Sequence, residues 1–242
     1  MKALILNSGQ GKRLLPLTKR KPKALLKVRN KTLLGYQMDQ LLSCNIRDII
    51  ITTGPFEKMI KKYVKTNYPY AKVSYIRNPY YKTTNYIFSM WLARKLIDDD
   101  VILLHGDLLF ERRLLRRLIN CKYPNCVLVN RKIRPPEKDF KAKIINNRII
   151  KIDVNLFEKD AFFLAPIYKF SKYDFLLWLN EIDRAIKGGR LEIYAEAVFN
   201  NIADKVVLHP LYFSNEICLE IDTIEDLKLA KNLLKRNILS HF

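Results

Sequence analysis

An α/β domain built on a largely parallel sheet is the fold class that the sequence predicts, on three observations. Short apolar runs of strand length alternate with amphipathic stretches of helix length through the first part of the chain. Turn-forming glycine, asparagine and proline clusters separate them. The 242 residues, 49% of them apolar, suffice for one domain with a sizeable core.

The elements follow in order. Residues 3–6 form a continuous apolar run, which reads as a buried strand. It ends in Asn7-Ser8-Gly9-Gln10-Gly11, a flexible loop of phosphate size. An amphipathic helix is predicted over 33–44, with Leu34, Met38, Leu41 and Leu42 on one face. Strands follow over 48–53, 73–76 and 101–104, with helices over 56–64 and 87–97 between them. The pattern changes after about Asn130, where Arg134-Pro135-Pro136 breaks any element. Residues 143–151 read as a hairpin turning at Asn146-Asn147. A strand over 162–168, helices over 172–187 and 192–200, strands over 206–208 and 217–221, and a closing helix over 224–234 complete the chain. The expectation is one domain over 1–242, with a small acceptor-side subdomain over 131–160 beside the main sheet. Neither an internal repeat nor a low-complexity segment interrupts it.

Charge narrows the partners. The formal net charge is +20, and residues 1–38 contain lysines and arginines but no aspartate or glutamate. A second basic stretch runs over 131–143. Such a balance favours nucleotides, phosphates, nucleic acid or a membrane surface, although solvated surface accounts for the bulk of it equally well. Four scattered cysteines match neither a redox nor a zinc spacing and imply reduced thiols. With no leader-like start and no apolar run of about 18 residues, a soluble, cytoplasmic protein is expected. The three histidines, His105, His209 and His241, are too scattered for a metal or triad set.

Chemistry concentrates in three places. Gly9-x-Gly11-x-Arg13-Leu14-x-Pro16-Leu17-Thr18, followed by Pro22-Lys23-Ala24-Leu25, lets backbone N–H groups approach a phosphate chain, with Arg13 and Lys23 to grip its oxygens. The string is neither a dinucleotide fingerprint nor a P-loop. His105-Gly106-Asp107 places a carboxylate at the end of a predicted parallel strand, where ligands bind in such sheets. Glu220-Ile221-Asp222-Thr223 precedes the last helix; Asp222 fits either a metal ligand or a helix N-cap.

Together, the segment from Lys2 to Thr18 and Pro22-Lys23-Ala24-Leu25 closely resemble the signature of the sugar-phosphate and phosphocholine nucleotidyltransferases. Thr84-Asn85-Tyr86-Ile87-Phe88-Ser89-Met90 resembles the cytidylyltransferase branch, with Asn85 and Ser89 matching. The resemblance implies a Rossmann-like three-layer fold and transfer of CMP from CTP to a small phosphorylated acceptor. Phosphocholine, a phosphonate or a phosphorylated amino acid such as phosphoglutamine would serve. It implies a site in which Asp107 and Asp222 hold Mg²⁺ and Lys23 and Arg13 are catalytic. Asn7, Ser8, Gly9, Gly11, Lys12, Arg13, Lys23, Asn85 and Ser89 would bind the nucleotide, Asn85 serving equally as a helix cap. Asn7-Ser8 replaces the usual Ala-Ala or Ala-Gly, so base contacts are expected to differ.

On the acceptor side the resemblance points to Lys159, Tyr194 and Glu196, with a solvated Lys159 equally in keeping. Ala195 stands where the phosphocholine enzymes carry an aromatic, and the 131–143 stretch is basic, so an acceptor with an anionic or strongly polar group besides its phosphate is expected. Phe140, Phe162 or Tyr194 could rebuild an aromatic cage. The rival enzyme is a sugar 1-phosphate nucleotidyltransferase; the rival from another class is a nucleic-acid-binding protein, for which no binding module is recognisable. The partners expected are CTP and the acceptor, without nucleic acid or membrane, with a homodimer allowed.

Overall fold

The structure is a computed structural model and describes residues 1–236; His241 lies outside the described residues. Its strands are β1 (Lys2–Asn7), β2 (Lys27–Val28), β3 (Lys31–Thr32), β4 (Asp48–Thr53), β5 (Lys72–Arg77), β6 (Val101–His105), β7 (Leu108–Phe110), β8 (Cys126–Asn130), β9 (Lys141–Ile145), β10 (Arg148–Asp153), β11 (Ala161–Phe170), β12 (His209–Phe213) and β13 (Cys218–Glu220). Its α-helices are α1 (Leu33–Ser43), α2 (Glu57–Asn67), α3 (Tyr86–Ala93), α4 (Arg112–Ile119), α5 (Lys172–Lys187), α6 (Ala195–Phe199) and α7 (Ile224–Arg236).

The central sheet runs β10-β9-β11-β6-β1-β4-β5, with β8 pairing β11 and β12 beside that path. β5, β4, β1 and β6 are mutually parallel, as the alternating apolar runs predict. β11 returns antiparallel to β6, β8 and β9. Successive residues of β1 serve opposite faces: Leu4 and Leu6 join the core with Trp178 and Phe199, whereas Ala3 and Ile5 join that with Met38 and Leu115. The result is a sheet covered on both sides by helices.

A third, smaller core holds Val28, Leu33, Leu109, Ile221, Leu227 and Leu234. It ties α7 and the β7–β13 ribbon to the short β2–β3 hairpin. That tie carries Asp222 to the same end of the sheet as β1 and β6. The chain turns between β9 and β10 with Asn146 at φ 49° and Asn147 at φ 59°, the paired left-handed conformation of a type I′ hairpin.

Three sequence expectations are corrected. Residues 206–208 form no strand: Val206 and Leu208 are buried in the core, and the strand begins only at His209. The helix expected over 192–200 starts at Ala195, because Tyr194 is still extended. Helix α4 and strand β8, passed over in the sequence, lie between β7 and the hairpin.

Candidate active site

The C-terminal ends of β1 and β6 open onto a cavity of about 490 Å³. The loop after β1 supplies one wall with Asn7, Ser8, Gly9, Gly11, Lys12 and Arg13. At Gly11 the backbone is left-handed, φ 67°, and a Cβ would stand 3.1 Å from Thr18 and 3.3 Å from Lys23; only glycine fits without displacing the lysine. At Gly106, just past β6, a Cβ would fall 2.5 Å from the backbone oxygen of Leu6, so the chain can pass this close to β1 only as glycine. The Asn7 amide nitrogen is buried without a partner beside the cavity.

Three segments far apart in sequence converge at the base. Lys23 Nζ donates to Asp107 Oδ2 at 2.7 Å and to Asp222 Oδ1 at 2.8 Å. Arg13 lies 2.9 Å from Asp222 Oδ2. Burial pulls the Lys23 ammonium towards neutrality, but the two carboxylates outweigh it and hold its pKa above the ordinary lysine value. Burial likewise opposes ionisation of Asp107; Lys23 and His105 prevail and keep it below the ordinary range.

Other carboxyls crowd this point. Burial, with Asp107, Asp139 and Asp222 facing it, raises Glu220 well above the usual carboxylate range. Asp139 rises to about 6, from burial and then from Asp222, Asp226 and Asp107. Among the described residues, buried Oδ1 of Asp107 and Oε1 of Glu220 have no hydrogen-bond partner. Paired hard oxygens with an unused buried lone pair fit a divalent cation such as Mg²⁺.

Asp222 is not the helix cap. Thr223 Oγ1 accepts from Asp226 N, and the Asp226 carboxylate accepts from the N–H groups of Asp222 and Thr223 at 2.9 Å each. The Asp222 side chain is thereby left for Lys23 and Arg13.

Ser8 and Ser89 meet at the cavity wall, their hydroxyls 2.6 Å apart, and Ser8 also contacts Thr52 Oγ1 at 3.1 Å. Asn78 Nδ2 donates to Ser89 Oγ at 3.1 Å. Asn85 caps α3 and also borders the cavity. It accepts from Tyr86 N at the head of α3 and donates to Glu192 O.

At the far end, four aromatic rings form a closed circuit on the cavity wall. Ring centroids are 6.0 Å apart for Tyr86–Tyr194, 5.2 Å for Tyr194–Phe140, 6.0 Å for Phe140–His105 and 4.7 Å for His105–Tyr86. Glu196 lies behind this wall rather than in it: it is fully buried and accepts from the hydroxyls of Tyr86 and Tyr168. Burial opposes its charge, yet His105, 3.6 Å away, and Tyr86 hold it below the ordinary carboxylate range. Lys159 is exposed and is not among the lining residues.

The basic stretch over 131–143 does not face the cavity as expected. Arg131 stacks on Tyr212, with 3.8 Å to the ring centroid. Lys141 is buried on three backbone carbonyls, and Lys143 pairs with Glu158. Lys138 alone of the stretch's basic residues lines the cavity, and it is paired with Asp226. Among lining residues given no role in the sequence, His105 and Glu220 stood inside the motifs, whereas Asn78 carried no local signal.

A glycine-rich loop, a lysine bridging two aspartates and a cavity at the ends of parallel strands define a nucleotidyl-transfer enzyme. Residues 2–139 match the family described as Nucleotidyl transferase, and the chain belongs to that family. Within it, the similarity is to the phosphocholine-like cytidylyltransferase branch. The chain is 28% identical to choline-phosphate cytidylyltransferase of Streptococcus pneumoniae, over 97% of this chain and 99% of the relative. It is 26% identical to CTP:phosphoglutamine cytidylyltransferase of Campylobacter jejuni, over 92% and 93%. It is 31% identical to CMP-5'-(3-aminopropyl)phosphonate synthase of Streptomyces rubellomurinus over 56% of this chain, but spans only 22% of that protein. The fold matches the crystal structure of the CTP:phosphocholine cytidylyltransferase from Streptococcus pneumoniae with a TM-score of 0.82 at 23% identity, covering 96% and 98% of the two chains.

Proposed function

We propose that the enzyme transfers CMP from CTP to a small phosphate or phosphonate acceptor bearing an amino or ammonium group. An acceptor oxygen attacks the α-phosphorus in line, the bond to the β-phosphate oxygen breaks, and pyrophosphate leaves. The glycine-loop amides with Lys12 and Arg13 hold the β- and γ-phosphates. Asn7, Ser8, Asn85 and Ser89 border the nucleoside. Lys23 offsets charge at the α-phosphate. Asp107 and Asp222 would hold Mg²⁺, which when bound neutralises charge shared between the α-phosphate and the acceptor oxygen.

The single observation that carries the acceptor reading is the closed circuit of Tyr86, Tyr194, Phe140 and His105 on the cavity wall. Aromatic faces attract ammonium groups, and Glu192 is among the residues that line the same cavity. This reading is preferred to an anionic acceptor because, of the basic residues over 131–143, Lys138 alone lines the cavity, and it is paired with Asp226. Phosphocholine and aminopropylphosphonate, the acceptors that two relatives' names imply, both carry a cationic nitrogen. Tyr194, contributed by the chain just before α6, is the acceptor residue of this reading, and residues 131–160 form its acceptor-side flank.

Pyrophosphate release tests the whole reading, with CTP, UTP or dTTP against phosphocholine, an aminoalkylphosphonate, phosphoglutamine and glucose 1-phosphate. CTP with the nitrogen-bearing acceptors should turn over fastest. Preferred turnover of glucose 1-phosphate with UTP or dTTP would move the protein to the sugar branch. Tyr194→Ala should raise KM for the acceptor about tenfold, a cation–π loss of about 1–2 kcal/mol, while KM for CTP holds. Equal effects on both substrates would remove Tyr194 from the acceptor site.

A further inference from the structure

The loop that lines the nucleotide cavity through Lys12 and Arg13 also has an outer face. Leu15 is 52% exposed and Leu17 39%, and Met59, in the first turn of α2, is 40% exposed. Pro16, Leu17 and Met59, with Lys19, Arg20 and Lys21, border an open hollow of about 400 Å³ between the loop and the helix. Helix periodicity sets Lys62 on the same side of α2 as Met59, with Lys58 next to it. Among the described residues, no carboxylate pairs with Lys19, Arg20, Lys21, Lys58 or Lys62; the Glu57 of α2 is held by Lys61 and Thr53. Apolar side chains thus stand in water within a rim of uncompensated positive charge.

We propose that this face seats the protein peripherally on an anionic lipid bilayer. Leu17 and Met59 enter the headgroup layer, and the surrounding lysines and Arg20 meet lipid phosphates. Charge complementarity selects the occupant. A second copy would bring another net charge of +20 against the same rim. A nucleic-acid backbone would satisfy the cations but leave the apolar side chains in water. No helix among the described residues is long and apolar enough to cross a membrane, so the contact is interfacial. The expectation of no membrane partner is replaced by this proposal, which does not depend on the acceptor. Seated this way, the loop that closes one wall of the nucleotide cavity would lie against the bilayer, and the product would be released at its surface.

Co-sedimentation of the full chain with vesicles tests it, comparing pure phosphatidylcholine with a phosphatidylcholine–phosphatidylglycerol mixture at about 0.1 M salt. Binding is expected only with the anionic vesicles. Lys19→Ser/Arg20→Ser should weaken it by about fivefold per charge removed. Met59→Ser, on a different element, should weaken it severalfold at unchanged net charge. Both variants should keep wild-type turnover without vesicles, which reports an intact fold. Failure to bind anionic vesicles would overturn the proposal, as would equal binding to both vesicle types. A Met59→Ser affinity equal to wild type would reduce the contact to charge alone and also overturn it. Duplex DNA binding tighter than the vesicles, and lost in Lys19→Ser/Arg20→Ser, would assign the face to nucleic acid instead.

Discussion

Lys23 stands between two carboxylates, and its ammonium is held charged by them. On the proposed reaction it is the cation that would face developing charge at the α-phosphate, so Lys23→Ala should lower kcat by about 10²–10³. Asp107→Asn and Asp222→Asn should each abolish turnover while keeping thermal stability, since the cap of α7 is built by Thr223 and Asp226. An active but thermolabile Asp222→Asn would return that residue to a structural role. Asp139 offers a test with a sign. Its folded pKa, about 6, lies above the ordinary aspartate value near 4. Its contribution to stability is therefore fully present below about pH 4 and is lost as the pH rises through about 6. Asp139→Asn imitates the protonated group. In chelator-treated protein it should match wild type at pH 4 and exceed it at pH 8, by on the order of 2–3 kcal/mol in denaturant unfolding. A variant less stable than wild type at pH 8 would show that the carboxylate is satisfied there.

Among the elements, the hairpin turn is the one whose chemistry the sequence specified outright. Asn146 and Asn147 both adopt left-handed backbone, a conformation that costs other side chains about 1 kcal/mol or more. Asn147→Ala should lose about that much stability, and Asn147→Gly should lose none; equal losses would mean that side-chain contacts govern the turn. The parallel strands and α5 were legible because period and length agree there: the strand over 48–53 and the helix over 172–187 match residue for residue. Legibility failed where signals conflicted. In α4, Leu114, Leu115 and Leu118 face inward at helical spacing, but the helix has only eight residues and no side-chain cap. Pro210 argues against a strand, and β12 admits it because its recorded strand pairing is with β8 alone. The site divides the same way. Lys23, Asp107 and Asp222, which the structure brings together, each sit in a local motif that the sequence displays. The aromatic circuit draws single residues from α3, β6, the segment before β9 and the segment before α6. No window of the sequence contains that juxtaposition.

For the whole molecule, the excess charge either attracts substrates or is solvated surface, and the two differ in kinetics. A net charge of +20 produces a field that raises the local concentration of a polyanion such as CTP near the basic loop. Much of the positive charge elsewhere is already compensated, as at Lys143 with Glu158, Lys187 with Asp183 and Arg117 with Glu216. Among the described residues no carboxylate pairs with Lys19, Arg20, Lys21, Lys58 or Lys62, and the loop that carries the first three also lines the cavity, so their field reaches it. Screening lengths fall from about 30 Å at 0.01 M salt to below 10 Å at 0.15 M. With the divalent cation kept saturating, kcat/KM for CTP should therefore fall severalfold between those salt concentrations, while kcat stays constant because the bound triphosphate is held by short, partly buried contacts. Lys58→Ser/Lys62→Ser, on α2 and away from the lining residues, should flatten that dependence without changing kcat. A salt profile that is flat in wild type would leave the charge of this face with no part in nucleotide capture, and the lipid-binding measurement would then be the remaining account of it.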